Sequence, residues 1–210
     1  MVEINLEGVG RRFNINWIFR KINATLKTNQ HVVILGSNGS GKSTLLKILS
    51  GIVSPSEGKV SYQVNGLDVK ADSIYKHISI CTPYLSLPEE LTLDELLKFH
   101  QKLKPLDEAY TGKPFAEKLH LDYQPDKDIH LYSSGMKQRV KLGLALFSKN
   151  PILLLDEPLS NLDEEGKNWY LKMIDTYQND RLIIVCSNEV KNEYIFCSQT
   201  IDITDYKPES

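Results

Sequence analysis

The chain has 210 residues, with 25 Lys and Arg against 27 Asp and Glu and a formal net charge of −2. That length suits one domain, with or without a small inserted subdomain, and allows a sizeable core. A near-neutral balance does not indicate a strongly basic nucleic-acid surface; a local basic patch stays open, but no Lys/Arg run stands out. The odd number of cysteines, at spacings that fit no zinc pattern, argues against a metal framework. Cys81 and Cys186 stand in apolar stretches and read as small buried hydrophobes of a reducing cytosol.

Met1-Val-Glu-Ile-Asn-Leu has no basic region followed by a long apolar stretch, so no secretory signal is expected. The longest apolar runs, such as Ile152–Leu155, fall far short of the ~20 residues that cross a bilayer. A soluble chain is expected, one that would need another chain to supply spanning helices at a membrane.

In chain order, Val2–Leu6 reads as a strand and Gly8/Gly10 as a turn. His31–Leu35 is a short apolar run ending at Gly36, the pattern of a buried strand. Lys42–Ser50 has helical spacing at Leu45, Leu46, Ile48 and Leu49, with Gly51 as its stop and Pro55–Gly58 as a turn. Lys59–Val64 alternates as a half-exposed strand, and Ile78–Cys81 is another short strand. From Pro83 to about Leu131 the pattern changes: Pro83, Pro88, Pro105, Pro114 and Pro125 separate amphipathic stretches, and Leu93, Leu96, Leu97 and Leu103 are expected on one helical face. A helix over 134–148, a strand at Ile152–Leu155, a helix over 164–177 and a strand at Leu182–Cys186 follow, and Tyr206–Ser210 is expected to fray. Apolar strands alternating with helices predict an α/β fold with a mixed, mainly parallel core sheet, an N-terminal antiparallel β region and a helical insertion at about 84–150 within a single domain, 1–210.

Two motifs carry chemistry. Gly36, Ser37, Asn38, Gly39, Ser40, Gly41, Lys42, Ser43 and Thr44 match G-x-x-x-x-G-K-[ST] between a predicted strand and a predicted helix. Glycines let successive N–H groups turn toward phosphate oxygens, and the helix start adds its positive end. Lys42 supplies a full charge to the β- and γ-phosphates, and the Ser43 hydroxyl is a ligand for Mg²⁺. The plainer alternative is a glycine-rich turn with a surface lysine. The second motif, Ile152-Leu-Leu-Leu-Asp156-Glu157, is a buried strand ending in two carboxylates. Asp156 suits Mg²⁺ as a hard oxygen ligand, and Glu157 suits a general base for a water attacking the γ-phosphate. The alternative is a strand capped by solvated charges.

Tyr132-Ser-Ser-Gly-Met-Lys-Gln-Arg139 precedes an apolar helix, and here the chain resembles the ATP-binding cassette (ABC) ATPase family. The family's signature, Leu-Ser-Gly-Gly-Gln, aligns with Tyr132, Ser133, Ser134, Gly135 and Met136; Ser133 and Gly135 match, and the other three depart. Gln138 and Arg139 fit its continuation, and Leu159–Asp163 is similar to its D-loop. Phe13 is similar in position to the aromatic that stacks on adenine, with a buried core aromatic as the alternative. Two departures stand out. Pro83 and Tyr84 occupy the place of a usual glutamine, and Ser187-Asn188-Glu189 that of a usual histidine. Asn188 keeps an N–H donor for the γ-phosphate but is shorter and uncharged.

The resemblance implies an Mg-dependent ATPase, the ATP-binding subunit of an ABC transporter that drives transport through a separately encoded integral membrane subunit. It implies ATP and Mg²⁺ as ligands, with Glu157, Lys42 and Asn188 in catalytic positions. Phe13, 36–44 and Ser133, Ser134 and Gly135 would contact nucleotide, and Ser43 and Asp156 the metal. It implies a second cassette as partner with ATP between the two, in a homodimer or in a pair with a different cassette, and a place on the cytoplasmic face of the membrane. No direct nucleic-acid contact is expected. The alternatives are a soluble cassette ATPase acting on nucleic acid or ribosomes, and a weakly active nucleotide-binding regulator.

Overall fold

The structure, a computed structural model, describes residues 1–207. The chain divides into two compact units, one made of Met1–Ile80, Asn150–Glu157 and the segment from Gln178 onward, the other of Cys81–Lys149 and Pro158–Tyr177.

The first unit holds the strands β1 (Val2–Phe13), β2 (Asn16–Lys27), β3 (Val32–Leu35), β4 (Glu57–Val64), β5 (Leu67–Val69), β6 (Ile78–Cys81, its last residue in the other unit), β7 (Ile152–Asp156), β8 (Leu182–Ser187) and β9 (Gln199–Asp202), with the helix α1 (Lys42–Leu49). They form two sheets, in the orders β2-β1-β4-β5 and β6-β7-β8-β3-β9. The first is antiparallel throughout. In the second, β7, β8, β3 and β9 run parallel to one another. The two strand directions expected of the fold are therefore held in separate sheets.

Every residue of β7 and β8 is buried, as parallel strands covered on both faces require. In β1, Val2, Ile4 and Leu6 face the core alternately. The turn expected at Gly8/Gly10 is instead part of β1, where the register with β2 shifts between Leu6 and Val9 and again between Val9 and Arg11. Gly8, at φ +61°, absorbs that irregularity, as glycines do in bulges. Gly10 leaves room for Glu57, whose carboxylate would stand 2.5 Å from a Cβ there. The expected turn at Pro55–Gly58 likewise ends early, because Glu57 already begins β4.

Helix α1 buries Leu45, Leu46, Ile48 and Leu49 and stops at Gly51, φ +74°. The Tyr62 hydroxyl on β4 donates to Ile48 O at 3.0 Å, and burial pushes this phenol up to about 12. Tyr206, expected to fray, closes a single 3-10 turn (Ile203–Tyr206) and packs against the core. The rest of that expectation, 208–210, lies outside the described residues.

The second unit carries α2 (Leu93–Leu103), α3 (Gly112–Lys118), α4 (Ser134–Leu146) and α5 (Glu164–Tyr177). Helix α2 starts at a capping box: the Thr92 hydroxyl accepts from Glu95 N, and the Glu95 carboxylate accepts from Thr92 N. Leu93, Leu96 and Leu97 are buried as expected, but Leu103 is 68% exposed. At about 100° per residue, Leu103 lies roughly 80° round the helix from Leu93, at the edge of the stripe. His100 and Lys104 take the inward positions, and burial lowers the pKa of both. Among the described residues no helix is long and apolar enough to cross a membrane.

Candidate nucleotide site

Residues 36–41 form a loop between β3 and α1. Gly39 and Gly41 stand at φ +76° and +115°, conformations that side chains resist. At Gly41 there is also no room: a Cβ would lie 2.5 Å from Ile18 Cγ2 and 3.2 Å from Phe19 Cδ1. Gly41 is the N-cap of α1, with no side-chain cap and no acidic residue in the first turn. The helix therefore begins with bare N–H groups, the arrangement that attracts an anion.

Lys42 is 4% exposed. Its ammonium donates to Gly36 O at 2.7 Å, Ser37 O at 3.1 Å and Asn188 Oδ1 at 3.3 Å. The charge is held in the loop by carbonyls and one amide, and among the described residues no carboxylate is bonded to it. Asn188 also donates from Nδ2 to Asn38 Oδ1 at 2.7 Å, so one amide joins the lysine to the loop's outer turn.

Asp156 ends β7 at 3% exposure. Burial pushes its carboxyl above the usual range, opposed by a hydrogen bond from Ser43 and by the charges of Lys42 and Lys47, while Glu157 pushes it further up. Ser43 and Asp156 thus bring two hard oxygen donors together beside α1. Among the described residues there is no group of three or more His, Cys, Asp or Glu placed to hold a metal ion. A hydroxyl and one carboxylate fit a Mg²⁺ that takes most of its oxygens from water and phosphate.

Glu157 is at φ +46°, and its N–H donates to Cys186 O at 3.0 Å. A left-handed glutamate costs about 1–3 kcal/mol and persists only where its surroundings fix it. Here the turn swings the side chain off the strand and leaves it half-buried.

Phe13 is 57% exposed, at the end of β1 where it pairs with Asn16, and Arg11 lies over its ring at 5.1 Å. It is not a core aromatic. The same hairpin brings Ile18 and Phe19 against Gly41, which places this end of the sheet a few residues from the phosphate loop. Nothing in the spacing of 16–27 signals that contact.

In the second unit, Ser133 is the N-cap of α4 and its hydroxyl accepts from Met136 N at 3.2 Å. Ser134 is exposed and Gly135 half-buried. A Cβ on Gly135 would lie 3.0 Å from Asn161 O. Gln138 Nε2 donates to Pro158 O at 3.0 Å, and Arg139 Nη2 to Asp163 Oδ1 at 3.1 Å. Two side chains of α4 are thereby bonded to 158–163, and Gly135 lets Asn161 approach closely. Ser133, Ser134, Gly135, Arg139 and Asn161 line a cleft of about 520 Å³. Tyr132, which departs from the signature's leucine, is buried like one at 6% exposure. Tyr84, by contrast, is 82% exposed.

The family model described as ABC transporter matches residues 19–160. The phospholipid-transporting ATPase ABCA3 of Homo sapiens is 29% identical over 174 residues, 80% of this chain and 10% of its own length. The Fe(3+) ions import ATP-binding protein FbpC of Escherichia coli O157:H7 is 34% identical over 165 residues, 76% of this chain and 47% of its own length. The chain thus spans about a tenth of the first relative and about half of the second. In fold it is similar to the ATP-binding cassette MJ0796 in a dimeric post-hydrolysis state bound to ADP and Pi, with a TM-score of 0.75 at 20% identity over 99% of this chain and 97% of that one. The family match takes in both the phosphate loop and the start of α4, and the chain belongs to the ABC transporter family.

Proposed function

We propose that this chain binds and hydrolyses Mg-ATP and is the ATP-binding subunit of an ABC transporter, driving transport through a separately encoded integral membrane subunit. The observation that carries the reading is Lys42, buried at the uncapped start of α1 and held only by neutral oxygens. Such a cation gains a full charge partner when phosphate enters.

The loop 36–44 would bind the phosphates through backbone N–H groups, with Lys42 on the β- and γ-phosphates. Ser43 and Asp156 would hold Mg²⁺, which, when bound, neutralises charge on those oxygens. Glu157 would accept a proton from the water that attacks the γ-phosphate. Asn188, released from Asn38, would turn its Nδ2 donor to the γ-phosphate. Phe13 would stack on adenine in place of the Arg11 guanidinium that now covers its ring. Retention of Lys42, Ser43, Asp156 and Glu157 favours an active ATPase over a nucleotide-binding regulator.

The two units would act as one cassette, with 84–150 as its helical subdomain. Ser133, Ser134 and Gly135 would contact the γ-phosphate held by a second cassette, another copy of this chain, at the cytoplasmic face of the membrane. Support comes from the α4 N-terminus, which has two serines and a glycine and no acidic residue in its first turn, and from the dimeric state named for the cassette of similar fold.

The test is titration with a fluorescent ATP analogue. Binding that is strongly weakened by Lys42→Ala is expected. An affinity unchanged by that substitution would overturn the assignment of 36–44.

A further inference from the structure

Asn188 joins Lys42 to Asn38, yet it stands in a turn of seven residues or fewer after β8, between Ser187 and the 3-10 turn Lys191–Glu193. Something must hold that turn in shape. Among the described residues Glu193 is the one buried glutamate, at 3% exposure, and Ser187 is fully buried. The Ser187 hydroxyl donates to Glu193 Oε2. Ser187 Oγ accepts from Val190 N at 3.2 Å, and Glu193 N donates to Val190 O at 2.9 Å. These three bonds clasp the turn from the inside and leave Asn188 and Glu189 on its rim, the latter at φ +66°. Burying a carboxylate is unfavourable unless it is well bonded, so its presence here calls for a role. The surroundings of Cys186 tie it to the site. Burial pushes that thiol up, and the charges acting on it are those of Asp156, Lys42, Glu157 and Glu193.

We propose that Glu193 is a positioning residue for Asn188: acting through the Ser187 hydroxyl, it holds the turn after β8 in the shape that keeps the Asn188 amide on Lys42 and Asn38. The consequence for catalysis rests on the reading of the site as an ATPase; the positioning itself does not. Removing the clasp should free the Asn188 amide without touching the loop or the lysine. Replacing Glu193 by glutamine, which still offers an acceptor to Ser187, should keep it.

The experiment uses the ¹⁵N-labelled full chain without nucleotide, with the Asn188 side-chain NH₂ signal identified by its loss in Asn188→Ala. Glu193→Ala and Ser187→Ala are each expected to move that signal to the region of solvent-exposed amides, and Glu193→Gln to leave it in place. In steady-state assays Glu193→Ala should lower kcat about tenfold, a size common for coupled neighbours, with KM for ATP nearly unchanged. The double variant with Asn188→Ala should fall no further than Asn188→Ala alone. An unmoved Asn188 signal in folded Glu193→Ala overturns the proposal. If that variant does not fold, an unmoved signal in Ser187→Ala does so instead. A chain that binds no ATP sinks the proposed function, and the nucleotide-free signal still decides this inference.

Discussion

The chain begins two helices with serine and glycine and finishes them differently. At α1 the N-cap is Gly41, left-handed and without a side chain to cap the helix, and a buried lysine follows it. At α4 the N-cap is Ser133, whose hydroxyl already accepts a backbone N–H, and the lysine of its first turn, Lys137, is paired with Glu89. The first start is strained, uncapped and charged, so it is a poor helix terminus and a good anion site. The second is a sound terminus with a modest pull on anions. The lesson is that a helix start can serve stability or binding, and that the groups α1 lacks suit it to the binding role we propose.

Substitutions can break that contrast. The largest effect is expected beyond the helix starts, at the carboxylate proposed as general base: Glu157→Gln should slow hydrolysis by ~10²–10⁴ while ATP still binds, measured as single-turnover phosphate release. Next, Lys42→Ala should weaken ATP binding about 10- to 100-fold, the worth of one or two charge-assisted bonds, by titration. Asn188→His sharpens the comparison. The amide bonds through both its atoms, to Lys42 and to Asn38, so this site is built around asparagine. We expect the larger ring to lower the steady-state rate by about tenfold, the scale of a broken coupled contact; a rise would show a site still shaped for histidine. The smallest effect belongs to Ser133→Ala. Loss of the cap should cost about 1 kcal/mol of stability, seen as a lower melting temperature, with ATP affinity of the single chain unchanged.

Much of this was legible in the sequence. The G-x-x-x-x-G-K-[ST] spacing between an apolar run and a helical pattern located the loop between β3 and α1, the candidate phosphate site, and the buried run ending in Asp156-Glu157 located the metal and base candidates. Helix α5 starts and stops where its pattern does. What was hidden has physical reasons. Strand β2 was not expected, because register shifts and a left-handed Lys21 break its alternation. Strand β9 is only Gln199–Asp202, at a sheet edge with one buried residue. Gly8 and Gly10 signalled a turn because bulges and turns use the same residue. Asn38 and Glu193 belong to polar runs, and only the folded chain shows that one bonds Asn188 and the other clasps its turn.

The central claim is that α1 holds the nucleotide and the α4 start completes the site from a second copy. Light scattering of Glu157→Gln tests it most directly, because that variant retains the γ-phosphate. The account predicts a mass of two chains with Mg-ATP and of one chain with Mg-ADP, since only ATP carries the phosphate that both helix starts would share. A mass of one chain under both conditions, at every protein concentration tried, would contradict it.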